Sequence, residues 1–381
     1  MNPPARRKKP LILFNAIKLH QGPYRLPTGN FQQVLHLAAE LAHSPDFDFR
    51  ILTDLDSHPA FAEKVGEPPL IQTGLRGNSV LAADRAVVRA VRDLQPDIYH
   101  RQSGQLPFAR LDCQTVVGIA DLSFMALPHP PLKRLYKELS YRWTVRRADR
   151  ILCISRFTRD DVARRLKVDA AKLRVVHLGA NILPPADPSL AGKIVGRYFV
   201  AFGHQTHKNV ELCLRALASL GSGAPEAQLA LVGRNDYIEK SIKPLVRDLG
   251  VETKVHFVGA PSAAQLAGLY RRAEGLLFPS RFEGFGLPVL EAMGQDCPVI
   301  CSNVCSLPEV AGEAAIQLDP DDLSGWVDTM RRLMTDSRLR TDLIEAGRLQ
   351  VGRFSWKLAA QATETVYRDL LSSPTNHPAG A

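Results

Sequence analysis

In Leu277-Phe-Pro-Ser-Arg-Phe-Glu283-Gly-Phe-Gly-Leu-Pro-Val-Leu-Glu291-Ala-Met293, an apolar run leads into a glycine-rich loop and then into a helical pattern. We expect a strand that ends near Pro279 and a helix that begins near Pro288, because proline is favoured in the first helical turn. Gly284 and Gly286 let the backbone of the loop approach a ligand closely. The stretch therefore predicts a strand-loop-helix junction of an α/β sheet, with a ligand at the loop.

The same alternation extends on both sides of this stretch, as is typical of βαβ units and parallel sheets. In the first half we predict strands at Pro10–Ala16, Phe49–Thr53, Asp97–His100, Thr115–Ile119, Ile151–Ile154 and Val175–Leu178. In the second half we predict strands at Tyr198–Gly203, Gln228–Gly233, Lys254–Gly259, Gly275–Pro279, Pro298–Ser302 and Ala314–Leu318. Helical spacing of apolar residues predicts helices at Phe31–Ala42 and Val80–Leu94. A turn-rich passage at residues 184–197 separates two doubly wound α/β halves.

Length and composition bound the class of protein. The chain has 381 residues, which suits two domains, and its 45% hydrophobic and 23% charged residues exclude a disordered or fibrous chain. Lysine and arginine exceed aspartate and glutamate by 48 to 39, so the formal net charge is +9. The excess lies in residues 1–190, with 28 basic and 18 acidic residues, against 20 and 21 in residues 191–381. A basic first half favours phosphate, nucleic acid or an anionic membrane surface as partner.

The length of the apolar runs and the number of cysteines indicate the cellular compartment of the protein. Runs such as Leu11–Phe14 are far shorter than the about 18–20 residues that span a bilayer, and no apolar signal-peptide core follows the basic start. We therefore expect a cytoplasmic protein. Six cysteines do not make a disulfide scaffold. We expect Cys297, Cys301 and Cys305 to be small buried residues, because they lack the Cys-x2-Cys pairs typical of zinc sites.

Two glutamates flank the glycine-rich loop of the opening stretch. Glu283 stands on the loop and Glu291 about one turn into the helix, so they reach different parts of one elongated ligand. Carboxylates accept hydrogen bonds from hydroxyls, which makes a sugar ring and a ribose natural partners. The loop backbone at the start of the helix favours a phosphate.

The pattern Glu283-x7-Glu291 around Gly-Phe-Gly-Leu-Pro resembles the donor-site motif of the family-4 retaining glycosyltransferases, which transfer sugars from nucleotide diphosphates. The resemblance implies the GT-B fold, in which two Rossmann-like domains face each other across a central cleft. It also implies that Glu283 contacts the transferred sugar and that Glu291 contacts the nucleotide ribose. The other donor-binding residues that it implies on this loop are Gly284, Phe285, Gly286 and Leu287.

Two further segments resemble this family. Gly203-His-Gln-Thr-His-Lys208-Asn209 is similar to its phosphate-binding loop, and Lys208 matches the lysine that neutralises the diphosphate. His204 stands where the family has an arginine, so neutralisation rests more heavily on Lys208 and backbone amides. We assign His204 to donor binding, with polar packing as the alternative. Gly29 resembles the glycine of the first-domain loop, whose amides face the diphosphate. We expect the long loop from Ile17 to Thr28 to bind the acceptor.

A strand end in the first half completes the predicted catalytic set. Val116-Val-Gly-Ile-Ala120-Asp121-Leu is similar to a family segment that usually reads His-Asp-Leu, and Ala120 replaces its histidine. That histidine lies beside the reacting sugar in relatives. Asp121 is retained, and we assign it, with Glu283 and Lys208, to catalysis, where it would orient the sugar or the acceptor. A solvated aspartate at a strand end is the alternative.

The resemblance covers most of the chain and implies its division into domains. We predict an N-terminal, acceptor-side domain at residues 1–186 and a C-terminal, nucleotide-sugar-binding domain at residues 187–356. The last helix, at about residues 357–373, is expected to cross back onto the first domain.

The implied reaction is hexose transfer with retention of configuration, in which the donor's own phosphate oxygen accepts the proton of the acceptor hydroxyl. We expect no metal and no cofactor besides the nucleotide sugar. Asp46-Phe-Asp48 and Asp54-Leu-Asp56 match a cation-binding pattern of other glycosyltransferases, but we expect them to be surface acids. GDP-mannose is the predicted donor because residues 203–209 most resemble mannosyltransferase-like relatives. The predicted acceptor is a glycan or a lipid-linked glycan in surface polysaccharide synthesis.

Other readings of the sequence differ in donor or in activity. One is a UDP-sugar-dependent enzyme of the same fold, and another is a nucleotide-sugar-binding protein whose catalysis is impaired, prompted by Ala120 and His204. A Rossmann dehydrogenase is disfavoured, because no Gly-x-Gly-x-x-Gly follows the first strand.

A basic helical segment at residues 133–147 indicates what kind of partner the protein binds. It mixes cations with Leu135, Leu139 and Trp143, which favours an amphipathic helix at an anionic membrane surface. We therefore predict a peripheral position at the inner face of the plasma membrane, with a solvated helix face as the alternative. Nucleic acid is the least favoured partner, because no aromatic-interleaved recognition motif appears.

Overall fold

Two parallel β-sheets organise the chain in the computed structural model, which describes residues 9–17, 29–66, 69–76, 79–220 and 227–372. The strands of the first sheet are β1 (Leu11–Asn15), β2 (Asp48–Thr53), β3 (Leu70–Gln72), β4 (Ile98–Arg101), β5 (Gln114–Ile119), β6 (Arg150–Cys153) and β7 (Leu173–Val175). Those of the second are β8 (Tyr198–Phe202), β9 (Gln228–Val232), β10 (Val255–Gly259), β11 (Gly275–Phe278), β12 (Val299–Ser302) and β13 (Ile316–Leu318).

Both sheets have the strand order of the doubly wound Rossmann arrangement, and the first has one additional strand, β7, at its edge. The first sheet runs β3-β2-β1-β4-β5-β6-β7 and the second β10-β9-β8-β11-β12-β13, with the order reversing beside β1 and beside β8. Central strands such as β1 and β11 are buried along their whole length, as expected of parallel strands covered on both faces. The predicted α/β fold with two Rossmann-like domains is confirmed.

The predicted strands are present with small shifts at their ends, apart from two differences. The predicted strand Val175–Leu178 is wrong, because pairing with β6 begins at Leu173 and ends at Val175. The β-branched pair Val175-Val176 favours a later start, whereas the buried Leu173 sets the register. The structure also contains a strand that was not predicted, β3, an edge strand of three residues that lies directly after a proline pair.

Helices cover the sheets. In the first half they are α1 (Gly29–Leu41), α2 (His58–Val65), α3 (Val80–Leu94), α4 (Ser123–Ala126), α5 (Pro131–Arg147) and α6 (Arg156–Leu166). Those that follow are α7 (Val210–Ser219), α8 (Lys243–Asp248), α9 (Ala263–Arg272), α10 (Leu287–Met293), α11 (Leu307–Ala311), α12 (Leu323–Thr335), α13 (Ser337–Val351) and α14 (Trp356–Ser372). Helix α3 shows how sequence sets these elements: Ser79 Oγ accepts a hydrogen bond from the Ala82 amide, and Val87 and Val91 are buried.

The chain divides into two structural units. Unit 1 contains the described residues up to Gly179 and those from Trp356 on, and unit 2 runs from Ala180 to Ser355. This boundary precedes the predicted one after residue 186, because the chain already bonds within unit 2 before that point. The Ala180 amide donates to the Phe354 carbonyl at 3.1 Å. Each unit has its own apolar core around its sheet.

Helix α14 returns the chain to unit 1 and is held there by a buried polar network. Tyr367 Oη lies 2.6 Å from His100 Nδ1, and His100 Nε2 lies 3.0 Å from Gln102 Oε1. Burial lowers the pKa of His100 to about 3, so its imidazole is neutral. The Tyr367 ring also packs edge-on against Phe47 at 5.5 Å. These contacts fix the register of α14 against β4.

We predict that Tyr367→Phe destabilises unit 1 by about 1–3 kcal/mol, because it leaves a buried ring nitrogen of His100 without its partner. Urea unfolding followed by circular dichroism measures the change. Tyr136→Phe is the control, since Tyr136 is half-exposed. Unfolding of the two variants at the same urea concentration would contradict the role of the network.

Candidate functional site

A buried ion pair lies at the carboxyl edge of the second sheet. Lys208 Nζ is 2.6 Å from Glu283 Oε1, and the two side chains are only 10% and 12% exposed. Lys208 follows β8 and Glu283 follows β11, and these strands are parallel neighbours whose carboxyl ends meet at one edge. Lys208 Nζ also lies 4.8 Å from the ring centroid of Phe278. The pair therefore has little solvent around it, which strengthens its charge-assisted hydrogen bond.

The glycine-rich loop after β11 is held in one shape by its surroundings. Gly286 has a φ of +108°, and a Cβ added there would lie 2.6 Å from Leu307 Cδ2, so only glycine fits. Ser306 Oγ lies 2.9 Å from the carbonyl oxygens of both Glu283 and Phe285, and its hydroxyl donates to them. These contacts set the backbone that carries Glu283 and leads into α10 at Leu287.

Phe285 anchors the middle of this loop. Its side chain is buried, and its ring packs edge-on against Phe354 with centroids 5.7 Å apart. Gly284, just before it, is buried as well. The side chain of Phe285 therefore stabilises the loop from inside, whereas its backbone remains the part that we predict to contact the donor.

Glu291 lies on α10 and is held separately from the ion pair. Asn181 Nδ2 donates a hydrogen bond to Glu291 Oε1 at 2.7 Å. Burial raises the pKa of the Glu291 carboxyl, and the bond from Asn181 opposes this shift. Two buried polar atoms of these surroundings, Asn181 Oδ1 and Tyr270 Oη, have no hydrogen-bond partner among the described residues. Such atoms are expected to be satisfied by a ligand or by water.

His204 begins the loop between β8 and Lys208 and carries no charge at neutral pH. Burial, with a smaller contribution from the Lys208 charge, lowers the pKa of His204 to about 4. Its ring lies edge-on to Phe202, with centroids 6.3 Å apart. His204 therefore does not supply the second cation that an arginine would supply at this position.

A second ion pair joins the loops around Lys208. Arg281 binds Asp321 through two nitrogens at 2.5 and 3.0 Å, and its amide donates to the His207 carbonyl at 2.8 Å. Asn209, in the left-handed conformation with φ +54°, donates from Nδ2 to the Pro320 carbonyl at 2.9 Å. Sequence reasoning missed Arg281 and Asn181. The motif contains Arg281 but gives no sign of its partner, and Asn181 lies 110 positions from Glu291.

Two predicted site residues, Asp121 and Gly29, lie in unit 1. Asp121 follows β5, and its Oδ1 accepts a hydrogen bond at 2.7 Å from the amide of Ser123, the first residue of α4. Gly29 begins α1 and is exposed, and a Cβ added to it would meet no atom of the described residues within 4 Å. Residues 18–28 of the predicted acceptor loop lie outside the described residues. The roles of Asp121 and Gly29 in binding stay predictions.

Three of the four acids considered as metal ligands have other partners, and the expectation that these acids lie at the surface is wrong for Asp54, which is buried. Asp46 pairs with Arg368 at 2.7 Å, Asp48 with Arg50 at 2.8 Å, and Asp54 Oδ1 accepts from the Ser57 amide. In the part of the chain that the structure describes, no three histidine, cysteine, aspartate or glutamate side chains are grouped to hold a metal ion.

The cysteine expectation is confirmed for two residues of the three. Cys297 and Cys301 are buried, whereas Cys305 is partly exposed, and none of the three forms a disulfide with another described residue. Burial raises the pKa of the Cys301 thiol to about 12, so it is not a nucleophile at neutral pH. No helix among the described residues has the length and apolar character needed to cross a bilayer.

We predict that Lys208→Met lowers the free energy of unfolding of unit 2 by about 3 kcal/mol, because it leaves the Glu283 carboxylate buried without a cation. Adding Glu283→Gln should recover part of the loss, since it removes the unpaired charge. Lys240→Met is the matched control: Lys240 and Asp236 form an exposed pair at 2.8 Å, whose loss should cost much less than that of the buried pair. Denaturant unfolding measures all three, and an equal loss for Lys208→Met and Lys240→Met would contradict a buried pair.

Two family models match the chain, and together they cover most of it. The model described as Glycosyltransferase Family 4 matches residues 29–182, and the model described as Glycosyl transferases group 1 matches residues 198–350. The first match lies within unit 1 apart from its last residues, and the second lies within unit 2.

Individual proteins agree with these matches. O-antigen chain mannosyltransferase B of Escherichia coli is 27% identical over 88% of this chain and 90% of its own length. O-antigen chain mannosyltransferase RfbU of Salmonella typhimurium is 29% identical over 57% of this chain and 60% of its own length. Among solved structures, Anabaena Alr3699/HepE in complex with UDP-glucose superimposes with a TM-score of 0.74 at 17% identity, covering 94% of this chain and 99% of that one, which shows a common fold. The chain therefore belongs to the family-4 glycosyltransferases, has the GT-B fold, and is similar to mannosyltransferases among them.

Proposed function

We propose that this glycosyltransferase transfers mannose from GDP-mannose, with retention of configuration, to a glycan or lipid-linked acceptor in surface polysaccharide synthesis. The main support is the ion pair between Lys208 and Glu283. It places a cation next to a carboxylate that can accept hydrogen bonds from sugar hydroxyls, and both side chains are largely buried. The two O-antigen mannosyltransferases at 27% and 29% identity support the choice of sugar and of product.

Lys208 would stabilise the leaving group. Cleavage of the bond between the sugar and the diphosphate leaves negative charge on the diphosphate, and a preorganised cation in a site with little water stabilises that charge strongly. Because Lys208 supplies this charge, the proposed reaction needs no metal. His204 is neutral at the working pH and contributes no second charge.

The two glutamates would orient the opposite ends of the donor. Glu283 would accept hydrogen bonds from sugar hydroxyls while Lys208 turns to the diphosphate. Glu291 would accept from the ribose hydroxyls. Asn181 Oδ1 and Tyr270 Oη, which have no hydrogen-bond partner in the described parts of the chain, provide further polar atoms in its surroundings. On this proposal unit 2 binds the donor and unit 1 binds the acceptor.

Retention of the anomeric configuration determines which bonds form and break in the proposed reaction. The acceptor oxygen forms a bond to the anomeric carbon on the face from which the diphosphate leaves, and the bond from that carbon to the phosphate oxygen breaks. The acceptor proton passes to an oxygen of the leaving phosphate, so no side chain is needed as base. A lipid-linked acceptor would bring this cytoplasmic protein to the inner face of the plasma membrane.

We predict that GDP-mannose raises the thermal unfolding temperature by about 5–10 °C at a hundredfold excess over its Kd, because it binds only the folded chain. Glu283→Gln and Lys208→Met should each lose most of this shift, whereas the exposed-pair variant Lys240→Met should keep it. UDP-glucose and ADP-glucose are tested at equal concentration. A larger shift with UDP-glucose would replace the proposed donor, and equal shifts in all variants would remove Lys208 and Glu283 from the donor site.

We predict that His204 makes no contribution to the pH dependence of donor binding. Its pKa of about 4 keeps the imidazole neutral, so the Kd for GDP-mannose should vary with pH in the same way in wild type and His204→Gln between about pH 5.5 and pH 8. Protonation of this ring favours the unfolded chain, so stability should fall as the pH drops from about 6.5 towards 4. Titration calorimetry at several pH values measures binding. Tighter binding below pH 6.5 that His204→Gln abolishes would show a charged His204.

A further inference from the structure

Helix α5 of unit 1 presents a row of large apolar side chains to solvent. The five residues, called the α5 stripe below, are between 44% and 83% exposed: Leu132, Leu135, Tyr136, Leu139 and Trp143. Their spacing of three or four residues places them within an arc of about 100° on a regular helix. An exposed apolar row of this length is unusual on a soluble surface and marks an interaction site.

The stripe lies opposite the face by which α5 packs on unit 1. Ser140, Thr144 and Val145 are the buried residues of this helix. The Thr144 hydroxyl accepts a hydrogen bond from the Leu106 amide at 3.1 Å, and Arg142 donates to the Arg165 carbonyl. These contacts hold α5 against unit 1, so the stripe is fixed in place without taking part in the core.

The charges along α5 are almost all positive. Its basic residues are Lys133, Arg134, Lys137, Arg142, Arg146 and Arg147, and its one acidic residue is Glu138. Glu138 is already paired with Arg142 at 2.9 Å. Lys133, Arg134 and Arg146 are exposed. The apolar stripe therefore lies on a helix whose own side chains carry a net positive charge.

Trp143 links the stripe to neighbouring apolar surface. It lines a cavity of about 450 Å³ with Leu106, Phe108 and Leu111, and Phe108 is itself half-exposed. The Arg147 guanidinium lies 5.1 Å from the Trp143 ring and donates to the carbonyls of residues 107–109, which fixes this loop beside the helix. An indole flanked by arginine is suited to the boundary between hydrocarbon and headgroups.

The combination of positive charge and exposed apolar side chains favours a lipid bilayer over another protein as the partner of α5. The core of a protein interface is depleted in charged residues overall, although arginine is enriched there, whereas here six cations and one acid accompany the stripe along the whole helix. A bilayer with anionic headgroups accepts both features, because apolar side chains enter the boundary of the acyl chains while cations meet the phosphates. We propose that α5 docks this protein on an anionic bilayer, with the stripe inserted among the lipids and the flanking cations on the headgroups.

Vesicle co-sedimentation and tryptophan fluorescence test the docking surface. The full chain should pellet with vesicles of phosphatidylcholine and phosphatidylglycerol, and binding should weaken as salt is raised. Trp326 and Trp356 are buried, so a blue shift of emission on vesicle binding should come from Trp143 and vanish in Trp143→Phe. Lys133→Gln with Arg134→Gln and Arg146→Gln should lower the partition coefficient about 100-fold. Leu135→Ser with Leu139→Ser should also lower it, whereas Leu349→Ser, an exposed leucine of α13, should not.

Each other outcome overturns the proposal. Equal binding to phosphatidylcholine alone would remove the role of the charges, and unchanged binding of the two-leucine variant would remove the stripe. Self-association in sedimentation velocity without vesicles, lost in the same variant, would make the stripe an interface with a second copy. All these variants should keep the thermal shift with GDP-mannose, so failure of docking is distinguishable from failure of the proposed donor site.

Discussion

The ion pair between Lys208 and Glu283 is the interaction on which the donor site depends. It exists because β8 and β11 are parallel neighbours, so the loops that follow them meet at one edge of the sheet. Both side chains are only about one-tenth exposed. Unless their geometry is good, the desolvation free energy of two buried charges exceeds the favourable free energy of their attraction. Much of the surrounding structure serves that geometry. Ser306 holds the backbone of Glu283, and Arg281 joins the loop of Lys208 to its neighbours.

The same pair explains how the site would work without a second cation at His204. Burial keeps that imidazole neutral, and the packing of its ring against Phe202 leaves Lys208 as the positive group beside Glu283. On the proposed mechanism the pair opens when the donor binds, with Lys208 turning to the diphosphate and Glu283 to the sugar. Before the donor binds, the ion pair would hold Lys208 and Glu283 close to the positions in which they contact the donor, so both side chains would be preorganised.

Sequence alone predicted the α/β fold, because alternating apolar runs and helical patterns are local features, and it predicted Lys208 and Glu283 because each stands in a recognisable loop. It did not predict Asn181, Phe278 or Ser306 as partners, since their contacts depend on which strands become neighbours. It missed β3, since three residues at a sheet edge carry little signal. The basic α5 segment was recognised from its composition, but only the structure shows that its apolar side chains face solvent rather than the core.

A crystal structure of this protein with bound GDP-mannose tests the central claim most directly. The account predicts that a diphosphate oxygen lies within hydrogen-bond distance of Lys208 Nζ and that the Glu283 carboxylate accepts from mannose hydroxyls, with the ribose at Glu291. A donor bound elsewhere on unit 2, with the bond between Lys208 and Glu283 undisturbed, would contradict it.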